Sequence, residues 1–376
     1  MKDIPFSKPN IIQKDIELVS KVIESGWLIH GKYSKLLEDL FCEYTGVKYA
    51  TTVSNCTAGL HLSCLAAGFS ANDEVIVPAQ THVATAHAVE YTGAKPIFAD
   101  VDPITGNIQP ESIISNLSKK TKGVIPVHMA GYPCDMRAIQ KICKDYDLIL
   151  IEDCAHAIGT FFNSKHAGSF GIAGCFSFYP TKQITTGEGG IIVSNDRKFI
   201  NEIKTLKAFG IDIPPDQRKT PGIYDVKQLG FNYRMTDFQA ALGVGQMKRY
   251  QKNLDSRKKN ATFYNSFLKN NQNIIFSKYK DECSYFLFQI FIRGKIKRNK
   301  VILSLMNKNI GVSIHYATPV PLMSYYKTKY GYEKGSFENA ETYSGTNISL
   351  PVHPKLSMND IKHISKTLKN IIKSEK

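Results

Sequence analysis

From about residue 47 onward, short runs of β-branched and other apolar residues alternate with stretches whose apolar positions recur every three or four residues. Seven such runs, at 47–53, 74–77, 96–99, 123–127, 147–151, 175–179 and 191–194, are predicted strands. Helical periodicity fills several of the gaps, at 58–67, 84–91 and 136–144. Strand and helix alternating at this spacing predict a large, mostly parallel sheet covered on both faces. From Thr236 to about Lys269 the pattern predicts one or two long helices that carry the chain out of the sheet region. A smaller α+β unit is predicted beyond them. Residues 284–293 alternate as a strand does, 311–316 resemble a second strand, and Ser357 caps a last helix with Ile361, Ile364, Leu368 and Ile371 on one face. The division expected is a large α/β domain over 1–250 and a small α+β domain over 251–376.

Composition narrows the picture only in places. With 376 residues, 43% of them hydrophobic, the chain can bury a sizeable core in two domains. The first residues lack an apolar core of signal-peptide length, and no later apolar stretch approaches a membrane span, so a cytoplasmic location is expected. The eight cysteines (Cys42, Cys56, Cys64, Cys134, Cys143, Cys154, Cys175 and Cys283) form no Cys-x-x-Cys pair and have no histidine at metal-ligand spacing. Reduced, mostly buried thiols are the reading, with no structural metal. A formal charge of +15 could serve a polyanion. Its lysines are interspersed rather than massed, however, and no nucleic-acid motif accompanies them, so neither nucleic acid nor membrane is an expected partner. The same excess would suit a small anionic substrate. The last helix is basic and amphipathic, and packing against its own domain explains it better than a membrane surface does.

In open α/β sheets ligands gather where strands end, so the polar residues after each apolar run are the first candidates for chemistry. Three places qualify. After the run ending at Val53, Ser54-Asn55-Cys56-Thr57-Ala58-Gly59 leads into a helix whose free N–H groups and dipole could meet a phosphate; a capped helix start explains it as well. After the run ending at Ile151, Glu152-Asp153-Cys154-Ala155-His156 places a carboxylate where it could hold a proton on a ring nitrogen, or cap the next helix. The third is Phe176-Ser177-Phe178-Tyr179-Pro180-Thr181-Lys182, running on to Gly187-Glu188-Gly189-Gly190. A lone lysine is ordinarily a solvated surface group, but one confined between a strand end and a tight turn can be desolvated into a nucleophile for a carbonyl.

Together and in this order, the three places resemble fold-type-I pyridoxal-phosphate enzymes, and more narrowly the sugar aminotransferases of the DegT/DnrJ/EryC1/StrS family. The resemblance runs from Ser25-Gly26-Trp27-Leu28 through Leu229-Gly230-Phe231-Asn232-Tyr233-Arg234 to Ser349-Leu350-Pro351-Val352-His353-Pro354. It implies a large sheet domain with a small C-terminal domain, and pyridoxal 5'-phosphate held by Lys182 as a Schiff base. Asp153 would then keep the pyridine nitrogen protonated. By the same resemblance His156 lies near the cofactor's 3-hydroxyl, and Thr57, Ala58 and Ser177 hold the phosphate with Asn232 of a second subunit. His82 covers the pyridine ring, although as a polar residue at a helix start it could also serve no ligand. Trp27, Arg234, His315 and Tyr316, with Pro319, border the sugar, where Trp27 and Tyr316 could equally be core aromatics and Arg234 purely structural.

The implied reaction moves an amine from an amino acid, glutamate by resemblance, to a nucleotide-linked ketosugar in a homodimer with shared sites. Carbon 4 of a 4-keto-6-deoxy sugar is favoured over carbon 3 by the loop after Lys182, and the nucleotide stays open. Three other readings compete. A dehydratase of the same family would carry histidine in place of Lys182. A non-catalytic sensor of nucleotide sugars would not need Lys182, Asp153 and His156 together. A hydrolase or dehydrogenase would show Gly-x-Ser-x-Gly or Gly-x-Gly-x-x-Gly at a strand end, and neither is there.

Overall fold

In the computed structural model, which describes residues 3–213, 218–278 and 280–375, the seven apolar runs become the strands of one sheet. They are β1 (Tyr49–Val53), β2 (Glu74–Pro78), β3 (Lys95–Ala99), β4 (Thr121–Val124), β5 (Ile149–Asp153), then, after a two-residue hairpin of β6 (Phe161–Phe162) and β7 (Lys165–His166), β8 (Ala173–Ser177) and β9 (Gly190–Ser194). Their order is β1-β9-β8-β5-β4-β2-β3, with β9 alone running antiparallel to its neighbours. Buried on both faces, β8 and β9 show unbroken burial rather than alternation, as a sheet covered on each side requires.

The covering helices follow chain order. Helices α1 (Gln13–Ser25) and α2 (Lys32–Thr45) precede the sheet, and α3 (Cys56–Ala66), α4 (Val83–Glu90), α5 (Pro110–Ser115), α6 (Met136–Asp145) and α7 (Arg197–Leu206) are interleaved with it. The predicted long helical stretch is two helices, α8 (Asp237–Met247) and α9 (Tyr250–Leu268). The buried carboxylate of Asp15 accepts the Ile12 amide at the start of α1 and pairs with Arg249, which fastens α1 beside the junction of α8 and α9.

A second sheet follows, antiparallel, of β10 (Ile274–Ile275), β11 (Phe288–Ile292) and β12 (Asn347–Leu350). Helices α10 (Arg298–Met306), α11 (Ser324–Tyr330), α12 (Glu338–Thr346) and α13 (Met358–Ser374) complete the chain. Ser357 caps α13 reciprocally with Asp360, and Ile361, Ile364, Leu368 and Ile371 are buried in the core that α13 shares with β11 and α9. The expected strand at 311–316 is not one. It makes a single bridge, Ser313 to Ser349, and the third strand of this sheet is β12. The reason is visible in what its last residues do: Asn347 and Gln289 take the His315 backbone by side-chain hydrogen bonds, and Gln80 takes the Tyr316 carbonyl, in place of a ladder. All eight cysteines are free thiols, seven of them buried. Among the described residues no helix is long and apolar enough to cross a membrane.

Candidate active site

Three strand ends converge on one cleft of about 910 Å3. Asn55, after β1, caps α3 by accepting the Ala58 amide on its side chain at 2.8 Å and the Gly59 amide on its carbonyl at 3.1 Å. Among the described residues nothing accepts the Thr57 amide, so Thr57 offers the open donor at the positive end of this helix, while Ala58 is already engaged. Ser177 ends β8 with its hydroxyl oxygen accepting the Tyr179 amide at 3.3 Å, and it lines the cleft beside them.

Asp153, at the end of β5, is 4% exposed. One carboxylate oxygen accepts the Thr85 hydroxyl at 2.8 Å and the other the Ala155 amide at 3.0 Å. Both donors are neutral, and the carboxylate keeps lone pairs for a cationic partner in the cleft. Its neighbour Glu152 fixes the strand end: fully buried, it accepts the amides of Gly168 (2.8 Å), Phe170 (2.7 Å) and Gly171 (2.9 Å) and meets His128 Nε2 at 3.1 Å. The Cys134 amide donates to His128 Nδ1, so the ring's proton sits on Nε2 and donates to Glu152.

Lys182 lies in a turn closed by its own amide donating to the Tyr179 carbonyl, with the Thr185 hydroxyl donating to Phe178 further along. Gly187, at φ 81°, supplies the left-handed residue that lets the loop return to β9. Burial lowers the Lys182 pKa from 10.5 to about 8, against the opposing pull of Cys56 and Asp153. The amine is thus free of its proton far more often than a surface lysine. Its Nζ rests 4.6 Å from the ring centroid of Phe286.

His156 faces the same space. It accepts the Ala130 amide on Nδ1 (3.3 Å), and its Nε2 stands 3.3 Å from the Tyr316 hydroxyl. Burial, then Lys182, push its pKa well below the ordinary value, so the ring is neutral with its proton on Nε2, and the Tyr316 hydroxyl accepts it and keeps its own proton to donate. His315, pushed down to about 3 by burial and by Lys182, hydrogen-bonds Ser349 at 3.0 Å. His82 caps α4 through the Ala84 amide and packs edge-on to Tyr316 with centroids 5.5 Å apart. Surrounding atoms and Lys182 lower its pKa although its side chain keeps an exposed face at the mouth.

The cleft therefore gathers Lys182, Asp153, His156, Thr57, Ala58, Ser177, His82, His315 and Tyr316. Trp27, Asn232 and Arg234 do not line it. Trp27 is 57% exposed and donates to the His30 carbonyl; Arg234 donates to Asn232 and lies over Phe209. Phe286, Thr85 and His61 were not singled out from the sequence. His61 has a signal only in three dimensions: 5% exposed, it lines the cleft, with both ring nitrogens unpartnered among the described residues. Burial lowers its pKa, so it presents a neutral ring to that end of the cleft.

A confined amine, a carboxylate with neutral donors only, and an open helix N-terminus around one cleft suit pyridoxal phosphate, which needs a partner for its aldehyde, its ring nitrogen and its phosphate. The sequence pattern of the DegT/DnrJ/EryC1/StrS aminotransferase family matches residues 9–369. The chain belongs to this family. It is 36% identical over 374 residues to GDP-perosamine synthase of Escherichia coli O157:H7, covering 98% of both chains. It is 34% identical over 379 residues to the spore coat polysaccharide biosynthesis protein SpsC of Bacillus subtilis, covering 98% of this chain and 97% of that one. Among solved structures it superposes on Helicobacter pylori PseC, an aminotransferase of pseudoaminic acid biosynthesis, with a TM-score of 0.92 at 28% identity, over 99% of this chain and 100% of that one. Streptococcus pneumoniae Spr1654, solved in PLP and PMP forms, gives 0.93 and 0.94 at 28% identity over the whole of both chains. As a DegT/DnrJ/EryC1/StrS member with the fold-type-I architecture, the protein is a pyridoxal-phosphate-dependent sugar aminotransferase.

Proposed function

We propose that the protein transfers an amino group from glutamate to carbon 4 of a nucleotide-linked 4-keto-6-deoxy sugar, with Lys182 as the residue that holds the cofactor. The convergence of Lys182, Asp153 and the start of α3 on one cleft carries the reading. The similarity to GDP-perosamine synthase supports the choice of a nucleotide sugar. Bound there, pyridoxal phosphate supplies an electron sink for the substrate carbon. Lys182 would hold the cofactor, and its amine, when free, would take and return the proton of the substrate carbon near neutral pH. Asp153 would hold the ring-nitrogen proton, and the Thr57 amide and Ser177 hydroxyl would receive the phosphate. His82 would flank the pyridine, and His156 would lie beside its hydroxyl. Tyr316 and His315 face the sugar.

In this reading two copies share each site, and Asn232 of a second copy completes the phosphate contacts, with Trp27 and Arg234 also acting across the pair. Exposed apolar side chains on the two segments concerned support it: Trp27, Leu28 and Ile29 on one, Ile223, Tyr224 and Leu229 on the other. Covering them would remove a large apolar surface from water.

The test is an absorbance spectrum of the protein with pyridoxal phosphate before and after glutamate, with borohydride trapping and peptide mass analysis. A shift to the amine form of the cofactor and a trapped adduct on Lys182 are expected. Incubation with keto-sugar nucleotides, with NMR of the product, then distinguishes carbon 4 from carbon 3. A spectrum that ignores every amino donor would bring the sensor reading forward.

A further inference from the structure

The geometry points to Phe286 as a positioning residue for Lys182, its ring being the surface on which the lysine's free ammonium rests between its two covalent states. The inference rests on Lys182 being the cofactor-holding amine. Phe286 is 3% exposed, with its ring 4.6 Å from Lys182 Nζ and stacked on His156 at 4.3 Å and 28°. The His315 ring meets it edge-on at 6.2 Å. One ring thus touches the amine and two of the imidazoles that surround it.

This ring is not free to drift. Its segment is tied to the loop before α6 by the Ser284 amide donating to Gly131 and the Leu287 amide to Ala130, at 3.1 and 3.2 Å. Arg257 donates to the carbonyls of both Tyr285 and Phe286. Ala130 is also the residue whose amide fixes the His156 tautomer, and it does so from a left-handed φ of 58° that an alanine adopts only at a cost. The same two-residue corner therefore places His156 and the backbone that carries Phe286.

The chemistry explains why an aromatic face is useful there. Free of the cofactor, the lysine amine is a cation each time it carries a proton, and it is then a cation in a desolvated cleft. The groups facing it are Asp153 at the end of β5, Cys56 at the start of α3, His82 at the start of α4, His156, and His315 with Tyr316. Among the described residues two carboxylates line the cleft, Asp153 and Glu188; Asp153 is the one whose charge acts on Lys182, and pairing with it would remove the partner of the ring nitrogen. Among the described residues Lys182 forms no ion pair with Asp153. The face of Phe286 attracts the ammonium through its quadrupole without neutralising that carboxylate.

The experiment uses the cofactor-free full chain. Competitive acylation across pH, read by mass spectrometry of the Lys182 peptide, yields the pKa of its amine. In Phe286→Leu the apolar cover remains and the ring's quadrupole is lost, so the pKa is expected to fall by about half a unit to one unit. In Phe286→Tyr, which keeps the face, it stays at the wild-type value. An unchanged pKa in Phe286→Leu, or an equal fall in both variants, overturns the assignment. Should Phe286→Leu not fold, wild-type protein with 13C-methylated lysines decides: a ring-current-shifted resonance missing from Lys182→Arg supports the contact, and a Lys182 resonance among the bulk lysines overturns it. Neither readout depends on transamination, so it can fail while borohydride trapping on Lys182 succeeds, and the reverse.

Discussion

Lys182→Met in the cofactor-free protein is expected to stabilise the fold at neutral pH, because it removes a cation that the cleft holds unfavourably. Burial brings the lysine from 10.5 to about 8. Below pH 8 it is charged in both folded and unfolded chains, and each pH unit of that depression corresponds to about 1.36 kcal/mol against folding. The gain at pH 7 is then on the order of 3 kcal/mol. The sign is set by proton count: between the two values the unfolded chain binds the extra proton, so wild-type stability rises with pH over that window and the variant's advantage shrinks to roughly 1 kcal/mol by pH 10. For a chain of this length, 3 kcal/mol is about 4 °C in Tm. Thermal melts of wild type and variant at pH 7 and pH 10 measure both numbers. Methionine fills a similar volume, so any packing change appears equally at both pH values. An advantage that is absent at pH 7, or the same at both, would refute the desolvated lysine.

Glu152→Gln is expected to destabilise by about 3 kcal/mol, since an amide can present one acceptor oxygen to a site where three backbone amides and His128 now donate; an unchanged urea midpoint would contradict this. Gly131→Ala should cost at least about 2 kcal/mol. Gly131 sits at φ 91°, and an added methyl would lie 2.4 Å from Ser284 Oγ and 3.1 Å from the Phe286 amide nitrogen, so a melt matching wild type would show that this corner is looser than described.

The sheet was legible because a strand buried on both faces is a continuous apolar run, and seven such runs gave seven strands with every boundary within three residues. That β9 runs against the others was not legible, since direction is a property of the connection and the Lys182 loop is short enough to return as a hairpin-like turn. The segment 311–316 looked like a strand for a sound local reason, its alternating Val312 and Ile314. What decides its state is distant: side chains of Gln80, Gln289 and Asn347 take its backbone and turn Tyr316 into the cleft. The cleft-lining residues that follow strand ends were readable as polar punctuation after apolar runs. Phe286 was not, because a site aromatic inside Ser284-Tyr285-Phe286-Leu287-Phe288 has the same composition as core, and nothing local distinguishes the ring that meets a lysine from those that meet each other. Thr85 was hidden likewise, a polar residue between two alanines at the start of α4.

The cleft is assembled from positions as far apart in the chain as Asn55 and Tyr316. During synthesis the sheet strands are complete once residue 194 has emerged, yet Phe286 and Tyr316, which wall in Lys182, arrive roughly 90 and 120 residues later. A nascent chain at that stage would expose Lys182 and Asp153 to water with neither Phe286 nor Tyr316 over them. Uptake of pyridoxal phosphate is therefore expected only of a chain made past residue 316, and it can serve as a report of late synthesis rather than of early folding.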